Sequence, residues 1–292
     1  MFNRIGIFGK YNGIQCWETI DKLLQHLLTQ GKTVFLDSAS CADFPHQRYD
    51  VEVIDRDSLA EHIDLAVVVG GDGTFLDVSR AIVDQSIPIL GINLGRLGFL
   101  TDISPKTMCN TLDEIMADNY EFEERNLIHV TIERNGLVEF DELALNDVVI
   151  HKTDSPRMIE FETFVDNRFL NSQRSDGMII CTPTGSTAYA LSAGGPLLDP
   201  RLDVLSMVSI NPHTMSTRPY VIPGSSQVVI RPHEHCDGMA QIICDGQISH
   251  QITVDHKTTV QRHKRFIKML HPKGHDHFEL LRAKLRWGDK LS

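Results

Sequence analysis

The first hundred residues alternate short apolar runs with segments whose apolar residues recur at helical spacing. Four of the apolar runs have the length of strands: RIGIFG, TVFLD, DLAVVVG and IPILGINLG. Between the first two, apolar residues three and four apart from Trp17 to Leu28 predict an amphipathic helix. Nearly continuous apolar strands separated by helices are typical of a parallel sheet that is buried on both faces. The pattern predicts a Rossmann-like α/β domain over residues 1–100.

Beyond residue 100 the pattern changes, after one helical segment, to short strands in which polar and apolar residues alternate. HVTIER and LVEFDEL flank Asn135-Gly136, which is the strongest short signal for a β-hairpin. More runs of strand length follow, with turn residues between them. The pattern therefore predicts an all-β, sandwich-like domain over residues 101–270. Residues 271–292 return to a helical pattern, and we expect them to pack back onto the first domain.

Length and charge restrict the class of protein. A chain of 292 residues is long enough for two domains. The 28 basic and 39 acidic residues give a formal charge of −11, which argues against nucleic acid or an anionic membrane as the partner. Signal-peptide features, C-x-x-C pairs and apolar runs of about 18 residues are all missing from the sequence. We therefore expect a cytoplasmic protein that binds small molecules, with neither nucleic acid nor membrane as a partner.

The stretch VVVGGDGTFLD places Asp72 between glycines at the end of an apolar strand. We expect the next helix to begin near Thr74, with Thr74 as its cap and Asp77 reaching back in a capping box. A helix start at the carboxyl end of a parallel strand favours phosphate groups. A carboxylate beside a phosphate site suggests phosphoryl transfer, in which the acid accepts the proton of a hydroxyl. From GGDG alone, a plain turn without chemistry is equally compatible.

Three further stretches carry candidate ligand contacts. GINLGRLGFLTD repeats the arrangement of a strand followed by glycines, and Gly95 and Gly98 would let the backbone approach a ligand. In LNDVVI, Asn146 and Asp147 are adjacent, so on a regular strand their side chains would point to opposite faces. The hydroxyl-rich residues 172–196 predict a close-packed turn leading into a short helix, a surface suited to an adenine and its ribose.

These four stretches, in this order, resemble bacterial NAD kinases, which carry GGDG, NLG-x-LGFLT, an Asn-Glu pair and DG-x4-TPTGSTAY. The likeness covers nearly the whole chain. It implies transfer of the γ-phosphoryl group of ATP to the 2′-hydroxyl of the adenosine ribose of NAD, which gives NADP. It also implies a requirement for Mg²⁺ or another divalent cation. A homo-oligomer, a tetramer or a dimer, is a further implication of the resemblance.

The resemblance also assigns roles to individual residues. Asp72 is the general base, and Gly73 helps to hold the substrate. The remaining residues assigned to NAD are Asn146, Asp147, Arg157, Arg174, Asp176, Thr187, Ala188, Tyr189, Ala190, Leu191, Ser192 and Gln247. One position departs from the family pattern, because Asp147 stands where the family has glutamate. Its side chain is one methylene shorter, which keeps the charge but moves it.

Two other functions fit parts of the sequence. A lipid kinase of the diacylglycerol or sphingosine type resembles the chain at GGDG and in its two-domain plan. Those families usually follow GGDGT with an Asn-Glu pair, whereas this chain continues Phe75-Leu76-Asp77, and TPTGSTAY favours a dinucleotide. A non-catalytic NAD-binding regulator would need the same pocket but no base.

The stretch RPHEHCDG also contains possible zinc ligands, His233, His235 and Cys236. We interpret it as a solvated hairpin end, because no second cluster has matching ligand spacing.

Overall fold

The computed structural model describes residues 2–9, 13–41, 44–153, 156–233 and 240–287. The strands are β1 Arg4–Gly9, β2 Thr33–Asp37, β3 Glu52–Ile54, β4 Leu65–Gly70, β5 Ile89–Asn93, β6 Tyr120–Arg134, β7 Leu137–Ala144, β8 Asp147–Lys152, β9 Ile159–Val165, β10 Arg168–Ser175, β11 Gly177–Cys181, β12 Val204–Ile210, β13 Tyr220–Pro223, β14 Val228–Pro232, β15 Ala240–Cys244, β16 Ile248–Ile252 and β17 His256–Pro272. The helices are α1 Ile14–Thr29, α2 Arg56–Leu59, α3 Asp72–Ile82, α4 Met108–Met116, α5 Tyr189–Ser192 and α6 His277–Leu285. Short 3-10 turns cover Ser38–Cys41, His46–Arg48, Val83–Gln85 and Thr184–Thr187.

The described chain divides into two compact units. The first contains the residues up to Glu124 and those from Ile267 onward, and the second is Arg125–Phe266. The chain leaves the first unit within β6 and returns to it within β17. None of the helices in the described ranges is both long and apolar enough to cross a membrane.

The first unit is built on a parallel sheet with the strand order β5-β4-β1-β2-β3. The end of β17 joins β5 in parallel through the pair Met269 and Ile89. All six residues of β4 are buried, as expected for a strand that is covered on both faces. The predicted Rossmann-like α/β fold is thus confirmed.

The first unit extends further along the chain than the sequence pattern suggested. The boundary predicted at residue 100 precedes α4, whereas the compact unit runs to Glu124. The physical reason is that α4 buries Met108, Leu112 and Ile115 in the same apolar core that α1 and the parallel strands form. An apolar helix face shows that a helix packs, but its sequence does not show which sheet it packs against.

The second unit contains an antiparallel sheet with the strand order β13-β12-β11-β8-β15-β16. Strands β9, β10 and β14 pair antiparallel as a second layer, together with the first part of β17. Side chains of both layers, such as Val148 and Ile180 from the first and Phe161 and Val228 from the second, meet in one buried cluster. Two antiparallel layers around one core form the predicted sandwich-like arrangement.

The hairpin predicted at Asn135-Gly136 is present between β6 and β7, where Arg134 pairs with Leu137. Asn135 and Gly136 have φ angles of 52° and 80°. Positive φ at both central residues is what a type I′ turn requires. Residue type and turn geometry therefore agree at this position.

Replacing Leu112 with alanine tests the assignment of α4 to the core of the first unit. Leu112 is 1% exposed, so we expect Leu112→Ala to lower the free energy of unfolding by about 2–5 kcal/mol. Urea denaturation followed by circular dichroism measures the change. Leu137→Ala serves as the control because Leu137 is 72% exposed, and it should shift stability by less than about 0.5 kcal/mol. Equal midpoints for the two variants would contradict the packing of α4.

Candidate active site

Helix α3 begins at Asp72, two residues before the predicted start. Gly71 is the N-cap, and its carbonyl accepts the N–H of Thr74 at 3.0 Å. The prediction that Thr74 caps the helix with help from Asp77 is therefore wrong. Asp77 instead forms ion pairs with Arg56 and Arg80. The early start leaves the Asp72 carboxylate available for partners outside the helix.

Those partners come from residues 95–102, which we call the glycine loop. Asp72 Oδ2 accepts the N–H of Phe99 at 2.9 Å. Asp72 Oδ1 accepts the N–H of Leu100 at 3.0 Å, the N–H of Thr101 at 3.2 Å and the Thr101 hydroxyl at 3.1 Å. One carboxylate oxygen thus has three donors and the other has one. The two glycine-rich stretches that follow β4 and β5 meet at this carboxylate.

Gly98 makes the close approach of the loop to Asp72 sterically feasible. A Cβ atom at this position would lie 2.1 Å from Asp72 Oδ1 and 2.3 Å from the Thr101 hydroxyl oxygen. The sequence analysis expected the glycine to admit a ligand, but in the structure it admits a carboxylate of the protein. Gly95 has another role, because its φ angle of 97° lies in the region that favours glycine.

In the second unit, Asn146 and Asp147 line a pocket of about 340 Å³. The complete lining is Asn146, Asp147, Val149, His151, Ala188, Tyr189, Ile243, Asp245 and Gly246. Alternation along β8 places Asp147, Val149 and His151 on the pocket side. Asn146 also lines the pocket, contrary to the expectation of opposite faces. The strand begins only at Asp147, so strand alternation does not extend to Asn146.

Asp245 is a pocket residue that the sequence analysis missed. It lies in the turn between β15 and β16, with a φ angle of 51°. Its Oδ1 accepts the N–H groups of Asn146 at 2.8 Å and Asp147 at 3.2 Å, and its Oδ2 accepts that of Leu145 at 3.0 Å. The local signal is an Asp-Gly pair that follows a strand, Asp245-Gly246, like Asp72-Gly73 in GGDG. The link to Asn146 spans about a hundred residues, and no local pattern reveals it.

The ionisation of Asp147 depends on its burial and on the neighbouring Asp245. Asp147 is 4% exposed. Burial, and after it the charge of Asp245, raises the pKa of Asp147 to about 7. On the neighbouring strand, burial and the charge of Asp147 raise the pKa of the Cys181 thiol to about 12, so that thiol is not a nucleophile at neutral pH. The pocket therefore contains an acid that changes protonation near neutrality.

The hydroxyl-rich segment after β11 folds largely on its own main chain. The Thr182 hydroxyl donates to the carbonyl of Leu145 at 2.6 Å, and the Ser186 hydroxyl donates to the carbonyl of Pro183 at 2.6 Å. These bonds stabilise the tight turn that the sequence predicted. These hydroxyls bond to backbone carbonyls and so stabilise the turn. The part of the pocket wall that this segment supplies comes from the residues after the turn.

Ala188 and Tyr189, which follow this turn, line the pocket. Tyr189 is 42% exposed, so part of its ring is accessible. Gly185 lies against the main chain of Asn146, where a Cβ atom would be 2.0 Å from the carbonyl oxygen. Ala190, by contrast, is buried in an apolar cluster under α5 and is absent from the pocket wall.

Asp176 lies away from this pocket wall. Asp176 directly precedes β11 and lies beside Lys152, the last residue of β8. Asp147 is the first residue of β8. Five residue steps of a strand separate these two ends by about 17 Å. Asp176 binds Lys152 Nζ at 2.7 Å and Asn211 Nδ2 at 2.9 Å, and these hydrogen bonds, that from Lys152 first, lower its pKa.

Six other assigned residues of the second unit also lie off the pocket wall: Arg157, Arg174, Thr187, Leu191, Ser192 and Gln247. Of the twelve residues assigned to NAD in the second unit, the structure brings together Asn146, Asp147, Ala188 and Tyr189, and adds Asp245 to them. Asp72 and Gly73 belong to the first unit.

Two groups of described residues combine histidines with a carboxylate: Asp102 with His271 and His275, and Glu139 with His250 and His256. In the first group the two rings are stacked, with centroids 3.9 Å apart and planes 18° apart, and both Nδ1 atoms face Asp102 Oδ2, at 3.2 Å and 3.1 Å. In the second, the Thr253 N–H donates to His256 Nδ1, which places the ring proton on the nitrogen facing Glu139. In both groups the histidine nitrogens already contact carboxylates of the protein. Of the stretch declined as a zinc site, His235 and Cys236 lie outside the described residues.

Comparison with known proteins identifies the family. The ATP-NAD kinase N-terminal domain matches residues 5–120, and the ATP-NAD kinase C-terminal domain matches residues 145–271. This chain belongs to the ATP-NAD kinase family. The NAD kinase of Hydrogenovibrio crunogenus is 67% identical over 291 residues, which are 100% of both chains. The NAD kinase of Nitrosococcus oceani is 43% identical over 290 residues, which cover 99% of this chain and 98% of the relative.

Solved structures of an NAD kinase and an NADH kinase have a similar fold. An NAD kinase from Archaeoglobus fulgidus in complex with ATP has a TM-score of 0.75 at 27% identity, covering 97% of this chain and 98% of that one. Yeast NADH kinase complexed with NADH has a TM-score of 0.91 over 99% of this chain and 89% of that one. At 24% identity, the yeast enzyme supports the fold alone.

The resemblance to bacterial NAD kinases is thus confirmed, and with it the prediction of ATP-dependent phosphorylation of NAD. The alternatives, a lipid kinase and a non-catalytic regulator, find no support in these comparisons.

Gly98→Ala tests the steric role of the glycine loop in this NAD kinase activity. The new methyl group would collide with Asp72 Oδ1, so the loop or the carboxylate must move. We expect the rate of NAD phosphorylation to fall by at least about tenfold, because small displacements of reacting groups are costly. Gly13→Ala is the control, since its added Cβ has no described atom within 4 Å apart from its neighbours in the chain. A Gly98→Ala enzyme with the rate of the Gly13→Ala enzyme would contradict the steric argument.

Asp147→Asn tests the unusual ionisation in the pocket. Because the folded-state pKa of about 7 lies above the ordinary value, the folded protein keeps a proton that the unfolded chain releases. The stability contributed by Asp147 is therefore largest at low pH and declines as the pH rises towards 7. The asparagine does not ionise, so the melting temperature of the variant should rise relative to wild type between pH 5 and pH 8.

Asp255→Asn is the matched control, because it makes the same chemical change at a residue that is exposed in the described structure. A melting-temperature difference for Asp147→Asn that is the same at both pH values would refute the prediction.

Proposed function

We propose that Asp72 is the general base of the NAD kinase reaction. In this step the 2′-hydroxyl oxygen of the adenosine ribose bonds to the γ-phosphorus of ATP, the bond from that phosphorus to the β–γ bridging oxygen breaks, and ADP leaves. The hydroxyl proton passes to Asp72. The observation that carries the proposal is the set of four hydrogen bonds that fixes this carboxylate.

The distribution of these bonds favours one oxygen as the proton acceptor. A carboxylate oxygen has about two lone-pair sites. Oδ1, with three donors, has none to spare, whereas among the described residues Oδ2 accepts only the N–H of Phe99. We therefore assign the proton to Oδ2 of Asp72. Donors that fix the group before reaction remove the need to reorient it during reaction.

The location of Asp72 supports a phosphate nearby. It follows β4, which lies inside a parallel sheet, and it opens the eleven-residue helix α3. The start of a helix carries the positive end of the helix dipole, and open α/β sheets bind ligands outside the carboxyl ends of their strands. The charge on a transferring phosphoryl group would be stabilised there.

For NAD we propose the pocket of the second unit as the adenosine site. Its volume of about 340 Å³ falls in the range of small-molecule sites. Asn146 and Asp245 offer polar groups at one side, and the accessible ring of Tyr189 offers a surface on which a base could stack. Two acidic groups, Asp147 and Asp245, could each accept a hydrogen bond from a ribose hydroxyl.

The remaining assignments from the resemblance stay predictions. They are Gly73, Arg157, Arg174, Asp176, Thr187, Ala190, Leu191, Ser192 and Gln247 as contacts of NAD. A homo-oligomer and a cytoplasmic location also stay predictions. So does the divalent cation, whose chemistry would be to neutralise charge on the phosphates of ATP. The glycine loop presents N–H groups towards Asp72, which suit anionic oxygens, so we expect the cation to be held chiefly by the phosphates.

Asp72→Asn tests the general base. The amide has nearly the same shape but cannot take the proton, so we expect turnover to fall by at least about 10², with the affinity for NAD near that of wild type. A coupled assay of ATP with NAD measures turnover, and calorimetry measures NAD binding. Asp84→Asn, the same chemical change at an exposed position twelve residues later, should leave both unchanged. Wild-type turnover in Asp72→Asn would remove this residue from the mechanism.

A further inference from the structure

We propose that residues 271–284, which we call the C-terminal clamp, position the Asp72 carboxylate by holding the glycine loop. The proposal rests on the assignment of Asp72 as proton acceptor. It concerns the first unit alone, because the clamp, the loop and Asp72 all belong to it. The clamp touches the glycine loop at two places, on either side of the residues that donate to Asp72.

The first contact comes from α6. Lys284 Nζ donates to the carbonyl oxygen of Leu97 at 2.8 Å. The same ammonium group lies 5.2 Å from the centre of the Phe99 ring, within the range of a cation–π interaction. Phe99 is the residue whose N–H donates to Asp72 Oδ2. Lys284 thus contacts Phe99 itself, the residue whose N–H donates to the oxygen that we assign as proton acceptor.

The second contact is a buried ion cluster at the other end of the loop. Asp102 Oδ2 lies 3.2 Å from His271 Nδ1 and 3.1 Å from His275 Nδ1. His271 also reaches Glu123 at 3.2 Å through Nε2. Asp102 directly follows Thr101, which donates to Asp72 twice. Holding Asp102 therefore limits how far Thr101 can move.

The ionisation of this cluster makes the second contact strong. Burial opposes the charge on His271, but its hydrogen bonds to Asp102 and Glu123 outweigh burial and raise its pKa to about 9. Burial likewise opposes the charge on Asp102, yet the bonds from His271 and His275 hold its pKa well below the ordinary value. At neutral pH the cluster is a charge-assisted set of hydrogen bonds, which are stronger than neutral ones.

The glycine loop requires external support because its own sequence makes it pliable. Gly95 and Gly98 carry no side chain, so the unrestrained loop would populate many conformations. Only a few of these would present three successive donors to one carboxylate. Contacts at Leu97 and Phe99 and at Asp102 restrict the loop at both sides of Leu100. The clamp thereby contributes to catalysis without touching a substrate.

Lys284 and its helix neighbour Arg282 give a matched experiment. Arg282 pairs with Asp276, the N-cap residue of α6, which is not a residue of the glycine loop. Arg282→Met therefore removes the same charge from the same helix. Lys284→Met keeps the alkyl stem but loses the ammonium. Lys284→Arg keeps a cation that can donate and stack. Both positions are exposed, so the three variants should fold.

We expect kcat of Lys284→Met to fall by about fivefold to tenfold, with KM for NAD within about twofold of wild type. Loss of the Lys284 contact displaces a reacting group but leaves the NAD pocket unaltered. Lys284→Arg should recover kcat to within about twofold, and Arg282→Met should resemble wild type. Amide hydrogen exchange at residues 99–101 should accelerate in Lys284→Met alone. This exchange can be measured without any activity.

The buried contact has its own pair of variants. His275→Asn retains a donor near the position of Nδ1, whereas His275→Ala removes it, so kcat should fall in the alanine variant and be largely retained in the asparagine variant. Wild-type kcat in both Lys284→Met and His275→Ala would overturn the proposal. So would equal losses in Lys284→Met and Arg282→Met, or unchanged exchange at residues 99–101.

The outcome also separates this proposal from the assignment of the base. If Asp72→Asn is inactive while the clamp variants behave as wild type, only the clamp is refuted. If Asp72→Asn keeps its turnover, the base is refuted, and the exchange measurement still decides whether the clamp orders the loop.

Discussion

The carboxylate of Asp72 joins the two glycine-rich segments that follow neighbouring strands of the parallel sheet. Strands β4 and β5 are neighbours in the sheet, so the turns that follow them emerge side by side. Adjacent turns alone would leave two flexible glycine-rich segments. Four hydrogen bonds to one side chain convert them into a single structure, and these bonds depend on the missing side chain at Gly98. The position of α3, the shape of the glycine loop and the chemistry of the site all follow from this constraint.

The pocket of the second unit follows a related principle. Asp245 accepts N–H groups from three successive residues, 145 to 147, much as Asp72 accepts them from residues 99 to 101. In each case a carboxylate after a strand organises a distant piece of main chain. The difference is that Asp245 lies beside a second acid. Burial, and after it the charge of Asp245, raises the pKa of Asp147, and a hydroxyl that donates to Asp147 would favour its charged form.

Sequence patterns predicted what depends on near neighbours along the chain. The apolar runs predicted the parallel strands, and Asn135-Gly136 predicted the hairpin turn. Both succeeded because the burial of a strand and the φ angles of a turn depend on a few adjacent residues. The predicted start of α3 was wrong. Capping preferences favour Thr74 as the N-cap, whereas the helix begins at Asp72, whose carboxylate accepts hydrogen bonds from the distant glycine loop. Helix α4 was recognised, but its partner sheet was not. Asp245 was missed because its partners lie about a hundred residues away.

The return of the chain to its first unit has a consequence for biosynthesis. The end of β17 and helix α6 belong to the unit whose other strands are made first, but the ribosome synthesises them only after the whole second unit. Domains generally fold as units during synthesis, the N-terminal one first. Here the earlier unit has to wait for residues translated after the second unit before its sheet receives its final partner strand. A nascent chain that stalls after the second unit would therefore carry an unfinished sheet edge, with its own hazard of aggregation.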